Sequence, residues 1–336
     1  MKAGTRDERG VIAPLTALLM VALLGMTAFA VDTAMMYSEH AQLQNGADSS
    51  ALAIAQACAK DPSSADCASA NAAATALAGG NALDGVSHVA SVNFGTGTVE
   101  VTTQARDTAG NNHFSLVFAR ALGIDTADIR ASAEARIEGY SAADVVPLTF
   151  SKCESDPGFT KGLQFFPEHG SAMADQPGWK CTTPSSSGLE VPGGFGWLDQ
   201  SSPCTSSVTV GSYARTDPGG NFPSECTAMF ARWKTALEAG KPVDVLVPIF
   251  DNVTGSGSGA KFRIEAFAHI SIRGWHFNGG GSTYYRPDAS ALSSSLGLSN
   301  PDTGLFGKFI KKVTLADAAA MGGPTTYGAM GVRLSK

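Results

Sequence analysis

The side chains with the most evident chemistry in this sequence are its six cysteines. An even number of cysteines in an oxidising compartment predicts disulfides. Proximity along the chain favours three pairs, Cys58–Cys67, Cys153–Cys181 and Cys204–Cys226. No C-x-x-C spacing occurs, which disfavours a redox pair or a zinc ribbon. Scattered buried thiols are the alternative interpretation.

The histidines and one glycine-rich stretch are the other candidates for chemistry. His269 and His276 are seven residues apart in a predicted strand, so we expect them on opposite faces, partly exposed and sharing no metal. The stretch GSGSGA at 255–260 fits a loose dinucleotide-binding pattern, but a strand rather than a helix follows it. No H-E-x-x-H, G-x-S-x-G or Walker A motif is present. We therefore expect no enzymatic activity and no cofactor.

The net charge argues against nucleic acid as a partner. The chain carries a formal charge of −6, and residues 1–31 hold three basic and two acidic residues, so the remainder carries −7. Nucleic-acid binding needs clustered Lys and Arg that displace counterions. We therefore expect no nucleic-acid partner.

An apolar run near the N-terminus is the first element that could position the rest of the chain. Residues 11–31 hold no charge, and these 21 residues match the roughly 20 that span a bilayer as a helix. Lys2, Arg6 and Arg9 precede the run, so the N-terminus is expected to stay in the cytoplasm. Ala28-Phe29-Ala30 resembles a signal-peptidase site, which leaves cleavage after Ala30 open. The run is longer than a usual signal-peptide core, and this length favours a retained anchor.

A recognisable pattern follows the apolar run. The sequence VDTAMMYSEHAQLQNGADSSALA has an acidic residue, then an aromatic residue, then an alanine-rich polar stretch. The residues that carry the pattern are Val31, Asp32, Tyr37, Leu43, Gln44, Asn45, Ala47, Asp48, Ala51, Leu52 and Ala53. Over about residues 9–57 the chain resembles the N-terminal segment of the TadE/TadG-like family of Tad/Flp pilus-assembly proteins.

The resemblance implies a single-pass protein of the bacterial inner membrane, with a cytoplasmic N-terminus and its bulk in the periplasm. It implies no catalysis, and it implies other pilus-assembly membrane proteins or pilins as partners. Type IV prepilins carry Glu at the fifth mature position, whereas the fifth residue after Gly10 is Leu15, which disfavours cleavage at Gly10. Larger TadG-like members carry a D-x-S-x-S metal motif, which this sequence lacks.

Helical patterns dominate the residues directly after the apolar run. The alanine-rich segment is predicted to continue the same helix to about residue 59. A second helix is predicted over about 64–78, with Gly79-Gly80 as its C-terminal signal. The Cys58–Cys67 pair would staple the corner between the two helices.

Alternating residues then predict a small sheet. Strands around 90–94 and 98–103 form a hairpin with a three-residue GTG loop. A short helix is predicted to begin at Asn112 and to end at Gly123, and a strand over 129–137 completes the unit. Residues 32–140 are thus predicted to pack helices on one face of a sheet, a pilin-like α+β arrangement.

The composition changes near residue 140. Beyond it lie 21 of the 27 aromatic residues, and residues 151–226 hold eight of the 16 prolines. We therefore expect a boundary near 141–145, then loops and short strands held by disulfides. A helix is predicted within 225–241, and two long antiparallel strands follow, joined by a flexible hairpin loop. Residues 141–336 are predicted to form a β-rich, antiparallel, sandwich-like domain.

The predicted fold is therefore a single-pass membrane helix, a pilin-like α+β domain and a C-terminal β-rich domain that contains disulfides. The predicted function is a non-enzymatic, inner-membrane-anchored component of a Tad/Flp-type pilus system. The alternative is an anchored or secreted disulfide-bonded binding module or adhesin that takes no part in assembly, and a periplasmic hydrolase is a third, weaker hypothesis.

Overall fold

The computed structural model describes ten stretches of the chain. They are residues 9–169, 183–184, 190–191, 194–200, 203–217, 222–255, 259–277, 283–299, 301–315 and 320–335. The chain divides into two compact units: Met1–Arg136 with Leu334–Lys336, and Ile137–Arg333.

One long helix opens the first unit. The helix α1 (Arg9–Lys60) has 52 residues and continues unbroken from the apolar run into the alanine-rich stretch, as predicted. In the described part of the chain it is the one helix long and apolar enough to cross a membrane, by length and composition. Gly46 lies inside it without breaking it, and a Cβ there would meet the Cα of Ala78 at 3.1 Å. This glycine therefore permits the close approach of the next helices.

Two shorter helices pack beside α1. They are α2 (Ala65–Ala68) and α3 (Ala70–Asn81). The single predicted helix is thus divided at Ser69, and it runs through the glycine pair that was expected to end it. Asn81 donates from Nδ2 to the carbonyl of Leu77 at 2.8 Å, which supports this extra turn. The Cys58–Cys67 disulfide joins the end of α1 to α2, as predicted.

The sheet of the first unit is built mainly from a hairpin and a third strand. The strands of this part of the chain are β1 (Ser87–Gly95), β2 (Thr98–Ala105), the two-residue β3 (Phe114–Ser115) and β4 (Thr126–Ala127), and β5 (Arg130–Tyr140). Strands β3 and β4 pair only with each other, as a separate two-stranded sheet. Strand β2 pairs antiparallel with β1 and with β5. The pair Gly95–Thr98 closes the hairpin, so its loop has two residues rather than the predicted three. Gly97 takes a φ of 70°, which glycine adopts without strain.

The prediction of a helix that begins at Asn112 is wrong. Residues Phe114–Ser115 pair with β4 instead, and a single 3₁₀ turn forms at Ala119–Leu122. Gly123 ends this turn with a φ of 81°, which is the stop that the sequence predicted. The helix is missing because N–H groups of this segment donate to a side chain on α1.

The second unit is rich in strands. The strands are β6 (Ala142–Val145), β7 (Leu148–Ser151), β8 (Gln164–Pro167), β9 (Thr183–Pro184), β10 (Glu190–Val191), β11 (Phe195–Trp197), β12 (Ser206–Thr209), β13 (Tyr213–Arg215), β14 (Val243–Thr254), β15 (Lys261–His276), β16 (Thr283–Tyr285), β17 (Gly304–Ile310), β18 (Lys312–Leu315), β19 (Met321–Gly323) and β20 (Ala329–Leu334). The helices are α4 (Thr227–Glu238), where a helix was predicted, and α5 (Pro287–Leu296).

A large mixed sheet forms the centre of this unit. Its strands follow the order β11-β7-β14-β15-β17-β8, with β14 and β15 forming the predicted long hairpin. The expectation of a wholly antiparallel domain is wrong, because β7 runs parallel to β14 and β18 runs parallel to β20. Parallel neighbours need a long connection, and about ninety residues separate β7 from β14.

Aromatic side chains fill the core of the second unit. Phe230 on α4 lies 4.7 Å from Trp233 and 5.0 Å from Trp275 on β15, measured between ring centroids. The predicted Cys204–Cys226 disulfide is present and is buried in the same cluster. The third predicted pair, Cys153–Cys181, stays a prediction because Cys181 lies outside the described residues.

The histidine expectations are wrong in part. His269 is buried rather than partly exposed, and burial lowers its pKa to about 4. A register shift between Ile272 and Gly274 breaks the strict alternation between His269 and His276. His169 is also enclosed: its ring lies 5.7 Å from that of Phe250, and burial lowers its pKa to about 4.

Candidate functional site

The residues of the family pattern lie along α1, and Asp32 separates two kinds of helix surface. Before Asp32 nine large apolar side chains are uncovered, each between 56% and 75% exposed. They are Leu15, Leu18, Leu19, Met20, Val21, Leu23, Leu24, Met26 and Phe29. A water-exposed surface of this size and composition is typical of a helix that contacts lipid or other apolar helices.

Asp32 binds the 3₁₀ turn of the same unit through its carboxylate. Its side chain is buried and accepts hydrogen bonds from the backbone N–H groups of Val117 at 3.0 Å, Phe118 at 3.1 Å and Ala119 at 2.6 Å. A carboxylate accepts such bonds with particular strength because it is charged. We refer to this contact as the Asp32 clasp.

The clasp explains both the charge state of Asp32 and the missing helix. Burial alone would raise the pKa of the Asp32 carboxyl, but the N–H groups of Ala119, Phe118 and Val117 outweigh burial, so its pKa lies below the ordinary value. These N–H groups point to a residue about 85 positions earlier in the chain. They are therefore not available to a helix that begins at Asn112.

Beyond Asp32 the pattern residues hold α1 against the rest of the first unit. Leu43, Ala47 and Ala51 are buried completely or nearly so. Thr103 on β2 donates from Oγ1 to the carbonyl of Leu43 at 2.9 Å. Gln44 donates to the carboxylate of Asp48 at 2.7 Å, and also to a backbone carbonyl of β5 at 3.3 Å. The buried and bridging residues of the pattern are thus structural in this unit.

The remaining pattern residues do not converge on one point. Tyr37 is 80% exposed, Val31 and Asn45 are exposed, and Leu52 and Ala53 are half-buried. The structure therefore brings together a buried stripe on α1 and the Asp32 clasp, rather than a pocket of polar groups. The sequence pattern alone does not separate these two roles.

An apolar groove lies between α1 and the segment of residues 116–124, which we name the apolar turn. The groove has a volume of about 460 Å³. Its walls include Gly25, Ala28, Phe29, Thr33 and Met36 of α1, and Leu116, Phe118, Leu122 and Ile124 of the apolar turn. Sequence reasoning missed this groove because it predicted a helix from Asn112 to Gly123, whereas the structure has a single 3₁₀ turn there.

The candidates for metal and cofactor binding can be compared with the described residues. Within them no group of three or more His, Cys, Asp or Glu side chains is arranged to hold a metal ion. The GSGSGA stretch joins β14 to β15, so a strand follows it as expected, and residues 256–258 lie outside the described part. A dinucleotide site needs a helix at that place.

A helix long and apolar enough to cross a membrane thus continues without a break into a compact domain that a disulfide joins to it. Residues 10–57 match the family model described as putative Flp pilus-assembly TadE/G-like. This match confirms the resemblance of the N-terminal segment. No curated protein and no solved structure matches the chain.

Proposed function

We propose that this protein is a non-enzymatic, inner-membrane-anchored component of a Tad/Flp-type pilus assembly system. Its partners in this proposal are other pilus-assembly membrane proteins or pilins. They contact residues 11–31, which we name the apolar half of α1. The observation that carries the proposal is the match of residues 10–57 to a pilus-assembly family, because those residues form most of one unbroken helix.

The proposal assigns a compartment to each part of the chain. Residues 1–10 are cytoplasmic and residues 11–31 cross the inner membrane. Residues 32–140 form a pilin-like α+β domain and residues 141–336 a β-rich domain, both in the periplasm. The disulfides Cys58–Cys67 and Cys204–Cys226, both within the described residues, support an oxidising compartment for these residues. The basic residues before the apolar run support a cytoplasmic N-terminus.

The shape of α1 suggests how such a component works. The apolar half is free to pack against neighbouring membrane helices, whereas the buried half is committed to its own domain. Small residues such as Gly25 and Ala28 allow close helix contacts, since no atom lies within 4 Å of a Cβ built at Gly25. The Asp32 clasp marks the boundary between the apolar half, which packs against other membrane helices, and the buried half, which packs against its own domain.

Pilus display in a deletion strain tests the assembly role. We expect the strain without the gene to lack surface pili by electron microscopy, and the full-length gene to restore them. Asp32→Ala should restore pili poorly because it releases the apolar turn. Asp66→Ala is the matched control, since Asp66 is an exposed carboxylate in the same unit. Membrane fractionation verifies that every variant is present.

Normal pili on the deletion strain would contradict the assembly role. That outcome would favour the binding module or adhesin. Topology has a separate test, the N-terminal sequence of the mature protein. An intact start supports the anchor, a start at Val31 would show a cleaved signal, and a start at Val11 would show prepilin processing.

A further inference from the structure

The apolar turn leaves most of its large side chains uncovered. Leu116 is buried, but Val117, Phe118, Leu122 and Ile124 are between 45% and 83% exposed. Four such side chains within eight residues form an exposed apolar patch, and such a patch in water marks a contact surface. The position of this patch along α1 identifies what it contacts.

The patch lies level with the end of the membrane-spanning run. The groove beneath it is lined on α1 by Gly25, Ala28 and Phe29 within residues 11–31, and by Thr33 and Met36 just beyond them. From residue 25 to residue 31 the helix rises about 9 Å. The whole run rises only about 31 Å, and the hydrocarbon core is about 30 Å thick. The run is therefore barely longer than the hydrocarbon is thick, so the part of the groove that Gly25, Ala28 and Phe29 line must lie inside the hydrocarbon.

The backbone of the apolar turn is suited to a place without water. Lipid cannot hydrogen-bond to exposed N–H groups, so these groups need partners within the protein. Three of them donate to Asp32 in the clasp. Leu116 donates to the carbonyl of Asp125, and the N–H groups of residues 121, 123 and 124 donate to carbonyls of the turn itself.

An exposed ion pair accompanies the apolar side chains of the same segment. Arg120 and Asp125 form an ion pair at 3.5 Å, and their side chains are 68% and 66% exposed. A long guanidinium can extend to lipid phosphates while its stem stays in an apolar layer. Tyr37 is 80% exposed on α1, about 9 Å beyond residue 31, where aromatic side chains meet the interface.

We propose that the apolar turn enters the outer leaflet of the membrane that α1 spans, with Val117, Phe118, Leu122 and Ile124 in contact with lipid acyl chains. This inference rests on the membrane anchoring proposed above. The first unit then holds the bilayer at two places, the helix and the turn, and the Asp32 clasp joins them.

Lipid quenching of a fluorophore tests the proposal in the full-length protein. Leu122→Cys is labelled with an environment-sensitive dye, and the protein is reconstituted into vesicles of phosphatidylethanolamine and phosphatidylglycerol. Some of the lipids carry a nitroxide near the headgroup end of the acyl chain. Leu83→Cys is the matched control, because Leu83 is 87% exposed and Leu122 is 83% exposed. Leu83 lies farther from the membrane span, since its N–H donates to the side chain of Gln42, about 15 Å beyond Asp32 along α1. Leu24→Cys reports on the span itself.

We expect the dye at residue 122 to be quenched several-fold more than the dye at residue 83, with a blue-shifted emission. Ile124→Cys is a second probe and should agree. Equal weak quenching at 122 and 83, with strong quenching at Leu24, would overturn the lipid contact while leaving the anchor in place. Weak quenching at Leu24 as well would overturn the anchor and the proposal together.

A photo-cross-linking residue at position 122 in living cells tests the competing occupant, another protein. Adducts with phospholipid support the lipid contact. A discrete protein-sized adduct as the dominant product would show that a partner covers the patch, and would contradict the assignment to lipid.

Discussion

Introducing a charge at Ala51 should release α1 from its own domain. Ala51 is fully buried, so Ala51→Glu adds four heavy atoms to filled space, which costs about 1–3 kcal/mol. The carboxyl must also lose its charge in order to stay buried. At pH 7 this requirement costs up to about 3.7 kcal/mol, given an ordinary Glu pKa near 4.3. The total approaches the whole stability of many domains.

Ala41→Glu is the matched control for this prediction. Ala41 lies on the same helix but is exposed, so the same chemical change adds neither crowding nor burial. The intrinsic helix propensity changes equally in both variants and cancels in the comparison. The difference between the variants therefore isolates the buried face of α1.

The pH dependence gives this prediction its sharpest form. A buried Glu has a raised pKa in the folded state, so the folded state binds more protons than the unfolded state above pH 4.3. The stability of Ala51→Glu relative to Ala41→Glu should therefore rise as the pH falls, by up to about 1.4 kcal/mol per pH unit. Hydrogen exchange of peptides from β2, corrected for intrinsic rates, measures this difference locally. A difference that does not change between pH 7 and pH 5 would refute the reasoning.

Three further outcomes are expected. Replacing Cys204 and Cys226 with Ala should lower the free energy of unfolding by about 3 kcal/mol, because the bond spans 22 residues; tryptophan fluorescence in urea measures it, and an unchanged midpoint would contradict it. The ring nitrogens of His169 are buried, so the imidazole stays neutral in the fold, and the free energy of unfolding should be constant above about pH 7 and fall by roughly 3 kcal/mol towards pH 4 on account of this ring; His169→Leu should flatten that slope in urea titrations, and an unchanged slope would count against the burial argument. Gly46→Leu should destabilise the helix contact, where a Cβ meets backbone at 3.1 Å, whereas Gly80→Leu, with open space, should not; thermal melts by circular dichroism compare them, and equal effects would remove the packing explanation.

Local signals account for the parts of the fold that the sequence predicted. The unbroken α1, the hairpin of β1 and β2, the hairpin of β14 and β15, and the helix α4 all follow from periodicity over short windows. The disulfides Cys58–Cys67 and Cys204–Cys226 join cysteines that are close in sequence. In each case the interacting residues are near one another along the chain.

Contacts between distant residues account for the parts that the sequence did not predict. Asp32 accepts hydrogen bonds from the N–H groups that a helix after Asn112 would have used. The sequence near Asn112 contains no signal of this contact. The parallel pairing of β7 with β14 joins segments far apart in the chain. The burial of His269 depends on a bulged strand within a mixed sheet, and a single strand pattern cannot show it.

The unbroken course of α1 through residue 32 has a rotational consequence. A helix turns by about 100° per residue, so the azimuth of the span fixes the azimuth of every residue as far as Lys60. A neighbour that grips one side of the apolar half therefore also sets the direction in which the first unit faces around the membrane normal. Inserting one residue between Leu19 and Gly25, before the helix meets the rest of the unit, would turn that unit by about 100° relative to the preceding part of the helix, whereas seven inserted residues would nearly restore its heading. The rotation of the membrane-spanning part of α1 and the orientation of the first unit are therefore fixed to each other by one unbroken helix.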